Sequence, residues 1–236
     1  MELLKFIQPT ALKFEKRKQI IGNAYSFTFN AEKPLAWHAG QHGMLEIKLP
    51  SGKTARRMFS LSSAPQEKRV TITTYWHGDN ASSYKKALWN LQPGDNAKIR
   101  GPVGPMYIRD LSENNILIAG GIGITPFRSM LIEADLLSED IHATLLYANK
   151  SAEEVIFKIE LDKLSDKLKN LKVQYLYSPA MITESIIKDS ISDSKSENTN
   201  FYLSGPPKMI KTYKKLLKDI GISRKNIYSD PFMGYK

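Results

Sequence analysis

Residues 116–131, ILIAGGIGITPFRSML, begin as a continuous apolar run and end at helical spacing, with Gly120, Gly121 and Gly123 between the halves. No other stretch constrains the chain as much, because the rhythm of the sequence differs on its two sides. Before it, Tyr25, Phe27 and Phe29 alternate with small or polar residues, as do Leu45, Ile47 and Leu49, and then Val70, Ile72 and Thr74. Period-two runs separated by Gly, Pro and Asn predict an antiparallel barrel or sandwich. One short helix is expected to start at Ser82 and Ser83 and to carry Tyr84, Leu88 and Leu91, with Pro93-Gly94-Asp95 turning the chain afterwards. Beyond the polar stretch RDLSENN (109–115), the runs ILIAG, ATLLYAN (143–149), VQYLYS (173–178), FYLSGP (201–206) and NIYSDP (226–231) read as strands. Helical spacing falls between them: Phe127, Met130, Leu131, Ala134 and Leu137; Phe157, Leu161, Leu164 and Leu168; a short stretch over 183–191; and 207–220. KDSISDSKSENTN (188–200) reads as a polar surface loop. Strands alternating with helices predict a parallel sheet with right-handed crossovers. The expected architecture is an N-terminal antiparallel β-barrel in residues 1–109, followed by a Rossmann-like α/β domain with a five-stranded parallel sheet in residues 110–236.

Strand, glycine turn and helix in that order make a ready phosphate site. Glycine lets a ligand or a second backbone approach closely, and the first helical turn presents unpaired N–H groups. The spacing is not G-x-G-x-x-G. A chain that only needs to pack a helix on a sheet uses the same turn, and these residues alone leave the two readings level. The crevice beyond the strand ends in a doubly wound sheet is where ligands bind. GGIGITP lies at the end of the first parallel strand and SGPP (204–207) at the end of the fourth, so both are expected to border one crevice.

In the barrel half, RRMFSLSSAP (56–65) places an arginine, an aromatic two residues later on the same strand face, and three serines in one strand–turn. Arginine grips phosphate through charge-assisted bonds. GPVGPMYI (101–108) is a second glycine–proline turn. An ordinary half-buried strand and turn fit the same patterns. Cysteine is absent, which excludes disulfides, cysteine-ligated zinc or iron–sulfur centres and thiol chemistry within this chain.

Taken together and in this order, these segments resemble the ferredoxin–NADP reductase family of flavoenzymes over nearly the whole chain. The family's flavin motif, arginine–any–tyrosine–serine, matches Arg57, Met58, Phe59 and Ser60. Its glycine–proline turn matches Gly101 to Gly104, and its two nucleotide motifs match GGIGITP and SGPPKM. The resemblance implies FAD as cofactor, in preference to FMN because Ser82 and Ser83 offer a second phosphate site, and NADH or NADPH as electron donor. It implies that Arg57 binds the flavin phosphate, Phe59 lies against the ring, Ser60 bonds near flavin N5, and Ser62 and Ser63 hold the pyrimidine edge or ribityl chain. Gly121, Gly123, Thr125 and Pro126, with Ser204, Gly205 and Pro206, would line the nicotinamide nucleotide's path. Phe232 or Tyr235 would cover the flavin, with Asp230 nearby as a proton-relay group. Two departures stand out: Phe59 replaces the usual tyrosine, and Ser204 stands where many relatives have cysteine.

The implied activity is hydride transfer from a nicotinamide to the flavin, then electron transfer to an acceptor. The chain carries 34 Lys and Arg against 24 Asp and Glu, a formal charge of +10. That field favours an acidic soluble carrier such as a flavodoxin or ferredoxin. The alternative is a flavin-binding electron-transfer subunit that works only inside a larger redox complex. Nucleic-acid binding rests on charge alone, and the face Lys208, Lys211, Lys215, Lys218 reads more simply as a solvated helix face. No signal peptide is recognised in MELLKFIQPTALKFEK, and no apolar run approaches the ~20 residues that span a bilayer. A cytoplasmic location is therefore expected. The residue after the third parallel strand is not an arginine, which favours NADH; Lys150 keeps NADPH open.

Overall fold

The computed structural model describes residues 8–179, 182–191 and 199–232. The first half is a six-stranded antiparallel sheet built from β1 (Thr10–Ile21), β2 (Ala24–Ala31), β3 (His42–Lys48), β4 (Thr54–Ser60), β5 (Val70–Tyr75) and β6 (Asn96–Val103), in the order β4-β3-β6-β1-β2-β5. A bridge between Leu61 and Ile72 joins the chain leaving β4 to β5 and closes the sheet on itself. The alternation explains the core. Phe27 and Phe29, Leu45 and Ile47, and Val70 and Ile72 all point inward with Leu12, Phe14 and Ile99. Helix α1 (Ser83–Trp89) starts at the expected place, with Ser82 as its cap accepting from Lys85 N at 3.3 Å. It packs Tyr84 and Leu88 into the barrel, and the buried Tyr84 hydroxyl donates to Leu45 O at 3.0 Å.

The second half is a five-stranded parallel sheet of β7 (Asn114–Gly120), β8 (Ala143–Asn149), β9 (Leu171–Tyr177), β10 (Thr199–Gly205) and β11 (Ile227–Pro231), ordered β11-β10-β7-β8-β9. Its helices are α2 (Thr125–Leu137), α3 (Lys158–Lys167), α4 (Glu184–Ser190) and α5 (Pro207–Asp219). The apolar runs serve two layers at once. Leu117, Ala119, Leu145, Tyr147 and Tyr202 face a core shared with α2 and α3, while Ile116, Ile118, Leu146, Phe201 and Leu203 face α4 and α5. A strand buried on both faces reads as continuous apolar sequence, as ILIAG does. The order runs outward from β7 through β8 and β9 on one side and through β10 and β11 on the other. The switch point therefore lies between β7 and β10.

The structure revises two local expectations. A 3-10 turn, Gly121–Ile124, stands between β7 and α2, so the glycines are not themselves the first residues of the long helix. The stretch read as one polar loop is divided: residues 188–190 finish α4, residues 199–200 open β10, and 192–198 lie outside the described residues. The Thr183 side chain caps α4 by accepting from Ile186 N at 3.3 Å, which is why a helix begins in so polar a segment.

Candidate active site

Strand alternation separates the two arginines of ARRMF. Arg57 and Phe59 share the face turned to α1: the Arg57 guanidinium lies 5.5 Å from the Tyr84 ring centroid, and the Phe59 and Tyr84 rings are 6.0 Å apart. Arg57 spends one bond on Arg56 O, at 2.8 Å, and stays exposed. Arg56 points the other way, to Glu46, at 2.9 Å; Arg100 reaches the same carboxylate at 2.5 Å. Burial pushes the Glu46 carboxyl up, and the bonds from Arg56 and Arg100 outweigh it and hold the group below the usual carboxylate range.

At the end of β4, Ser60 is buried and its hydroxyl donates to Asp230 Oδ2 on β11. This is the contact that joins the flavin motif to the C-terminal strand, 170 residues away in sequence. Asp230 is in register with Ser204 of β10, whose hydroxyl is fully buried and has no hydrogen-bond partner among the described residues. His42, which the sequence pattern does not single out, sits directly across β3 from Ser60 with its Nδ1 buried and unpartnered. Its ring rests on Gly104: a Cβ there would stand 2.6 Å from His42 Cε1, at φ +114°. Burial raises the Asp230 carboxyl above its ordinary range, and the Ser60 hydrogen bond and the His42 charge pull back against it. A serine that donates to a carboxylate keeps its own oxygen free as an acceptor. Phe232 follows, half-buried, its N–H donating to Gly205 O at 3.1 Å. Tyr235 lies outside the described residues.

The glycines of the turn divide the work that the sequence pattern assigns to them jointly. A Cβ on Gly123 would meet Ser204 O at 2.2 Å, and one on Gly120 would meet Met209 Sδ at 2.4 Å. Gly205, at φ +148°, abuts Gly120 O and Met209. These glycines let the two loops at the switch point lie against each other. Gly121 differs: its φ is +52° and only the Tyr75 hydroxyl would come within 4 Å of a Cβ. Tyr147 donates to Gly121 O at 2.9 Å from below. Thr125 and Pro126 are buried, and the Thr125 hydroxyl donates to Ile122 O within its own turn.

Ser62 and Ser63 sit where the halves meet, with both hydroxyls already engaged. Ser62 Oγ bonds Thr71 O and Thr73, and Ser63 Oγ accepts from Thr71 N. Their carbonyls are held from α2, by Arg128 and by Ser129 Oγ respectively, the latter at 2.6 Å. Arg128 also bridges Glu67 of the barrel half at 2.9 Å and Glu160 of α3 at 2.7 Å. Ser83, one residue after the cap, is exposed. Pro206 is exposed at the start of α5.

This donor set fits a flavin and a nicotinamide nucleotide. The exposed, cationic Arg57 stands beside an aromatic, Gly121 offers open backbone at a switch point, and the unpartnered Ser204 hydroxyl marks a polar contact that nothing among the described residues satisfies. Among the described residues no cluster of His, Asp and Glu suits a metal ion, and no helix is long and apolar enough to cross a membrane.

Comparison with known proteins agrees with that fit. Residues 11–107 match the family model "Oxidoreductase FAD-binding domain" and residues 117–215 match "Oxidoreductase NAD-binding domain". Among curated proteins, the chain is 27% identical over 209 residues to the F subunit of the Na(+)-translocating NADH-quinone reductase of Marinomonas sp. (strain MWYL1), covering 77% of this chain and 50% of that one. Its counterpart in Methylococcus capsulatus is 28% identical, covering 76% and 50%. This chain thus spans about half the length of these curated relatives. Solved structures share the fold. The FAD/NAD-binding domain of nitric oxide dioxygenase from Vibrio cholerae has a TM-score of 0.78 at 22% identity, covering 94% of this chain and 98% of that one. For ferredoxin-NADP+ reductase from Plasmodium falciparum the TM-score is 0.78 at 16% identity, with 96% and 97% covered.

Proposed function

Because this chain belongs to the ferredoxin–NADP reductase family of FAD- and NAD-binding oxidoreductases, we propose that it takes hydride from NADH, or less readily NADPH, and hands the electrons singly to a protein acceptor. FAD supplies the chemistry of accepting a hydride and releasing electrons one at a time. The chain's own residues bind, orient and hold a proton. Arg57 takes the flavin phosphate, Phe59 packs on the ring, and Ser82 and Ser83 at the start of α1 meet the pyrophosphate. Ser62 and Ser63 fix the loop along the pyrimidine edge. Gly121, Gly123, Thr125 and Pro126, facing Ser204, Gly205 and Pro206, border the nicotinamide path. Phe232 covers the flavin. We set the division between the FAD-binding and NAD-binding units between residues 109 and 110.

The observation that carries this reading is the hydrogen bond from Ser60 to Asp230, in register with Ser204 and opposite His42. Ser60 Oγ–H is held by Asp230, whose carboxyl burial raises above its ordinary range, so the pair is placed to exchange a proton at the flavin. The visible spectrum of the purified protein, before and after anaerobic NADH or NADPH, tests the reading. A yellow protein bleached faster by NADH is expected; a colourless one that takes up neither FAD nor FMN overturns it.

A second reading has its own support. The curated relatives are named as subunits of a larger reductase, and this chain matches half of their length. In that reading the chain is a flavin-binding electron-transfer subunit that turns over only with its partners. An intact NADH-to-flavin step with negligible transfer to any soluble carrier is its signature.

A further inference from the structure

Between the barrel and the α/β half lies a cleft of about 950 Å³ that shares only Ser62 with the residues assigned to flavin and nucleotide. Strand β5 separates it from the crevice described above: Tyr75, at one end, stands over Gly121, while Thr71, four residues or about 13 Å back along the strand, lines the cleft. The floor is polar, with Ser26 bonded to Thr73 at 2.8 Å and Thr28 to Thr71 at 3.3 Å. The walls are apolar: Ile20 and Ile21 from β1 face Val155, Phe157 and Ile159 around the start of α3. Arg128, bonded to Glu67 on one bank and Glu160 on the other, holds the walls at a fixed separation.

Two features are wasteful in a seam that only joins domains. Ile159 is 75% exposed and Leu136 51% exposed at its edge, and they are two of the four exposed large hydrophobic residues among those described. The lining also carries six cationic side chains against two carboxylates, and both carboxylates are committed to Arg128. Lys16 and Arg69 share Glu15, and Lys158 holds Asp162. Lys18 on the β1 bank and Lys163 on the α3 bank have no ion pair among the described residues.

We propose that this cleft is a docking groove for an acidic amphipathic segment of a partner protein, whose apolar side enters between Ile20 and Ile159 and whose carboxylates meet Lys18 and Lys163. Cations on both banks and apolar walls are what an amphipathic helix with acidic edges matches. The groove lies away from the hydride crevice, so the partner is held without blocking nicotinamide or flavin. The inference does not depend on which acceptor the chain serves.

The test uses the full FAD-loaded chain and a fluorescein-labelled helical peptide of Glu and Leu, with a Lys–Leu peptide of the same pattern as control. Anisotropy is expected to show saturable binding of the Glu–Leu peptide alone. The double variant Lys18→Glu, Lys163→Glu should weaken it at least about tenfold, or about 1.4 kcal/mol, and Ile159→Ser should weaken it as well. NADH should reduce the flavin at the wild-type rate in these variants, which reports that they are folded, and NAD+ should not displace the peptide. Equal affinity in the charge-reversed variant, displacement by NAD+, or no binding of the Glu–Leu peptide overturns the proposal. Competition by laurate while the charge-reversed variant still binds the peptide overturns it too, in favour of a small amphipathic anion.

Discussion

Arg56 and Arg57 are chemical twins, and one strand position gives them opposite fates. Arg56 is locked to Glu46, while Arg57 stays beside Phe59 and Tyr84 with one backbone bond. Arg57→Ala is therefore expected to weaken flavin retention by about 1.5–3 kcal/mol, the worth of a charge-assisted hydrogen bond, with a near-native melting temperature for the flavin-free protein. Equilibrium dialysis against FAD checks the first part, and a thermal melt the second. Asp230 makes the complementary case. Its carboxyl is raised by burial, so the folded state binds that proton more tightly than the unfolded chain does. The stability tied to it is present in acid and is lost as pH rises through the folded pKa. Asp230→Asn should therefore be more stable than the parent at about pH 7 and no more stable at about pH 4, while its flavin reduction or reoxidation loses its pH dependence. Melts and stopped-flow traces at both values decide it. Arg57, Phe59 and Ser60 were legible as a motif. His42 was not, because only the β3–β4 register puts it opposite Ser60, and register is a property of two strands.

At the scale of elements, local rhythm told most of the story. Tyr25-Phe27-Phe29 and Val70-Ile72 announced strands because one barrel face is apolar, and ILIAG announced a strand buried on both faces. What stayed hidden was contact between distant pieces: the Leu61–Ile72 closure, the Gly123–Ser204 approach that explains one glycine, and the Arg128 bridge. Two ion clusters carry predictions here. Glu46 ties β3 to β4 and β6, and its carboxyl is held low by Arg56 and Arg100 despite burial. A depressed carboxylate stabilises above its unfolded pKa and loses that contribution as pH falls through the folded one. Glu46→Gln should lower the melting temperature at about pH 7, and the difference should shrink as pH falls through the folded-state pKa, which lies below the ordinary carboxylate range. Arg128, only 13% exposed, joins the barrel turn to α2 and α3. Arg128→Ala leaves two carboxylates without their partner in a part-buried seam, and breaking such a bridge costs about 3–5 kcal/mol when fully buried, less here. The expected signature is two separate unfolding transitions by calorimetry where the parent shows one. A single transition at the parent's temperature would show that the halves stay coupled without the bridge.

Over the whole molecule, charge and connectivity bear on where the electrons go. The chain has a formal charge of +10, no cysteine to ligate an iron–sulfur centre, and no membrane-crossing helix among the described residues. Under the proposed reading, the electrons pass to an acceptor that lies outside these residues. A strongly cationic donor steers an anionic carrier, raising encounter rates by about 10–10³-fold at low salt. That advantage decays as the Debye length shrinks to about 8 Å near 0.15 M. Reduction of an acidic flavodoxin or ferredoxin by NADH through this protein should therefore fall steeply across that salt range, while reduction of a neutral quinone stays flat. Such a pair of curves supports a freely diffusing acidic acceptor. A carrier rate that neither exceeds the neutral control nor responds to salt, with the NADH-to-flavin step intact, points to the other account: the electrons leave through a fixed partner. In that account the partner's acidic segment in the Lys18–Lys163 groove substitutes permanent attachment for steering.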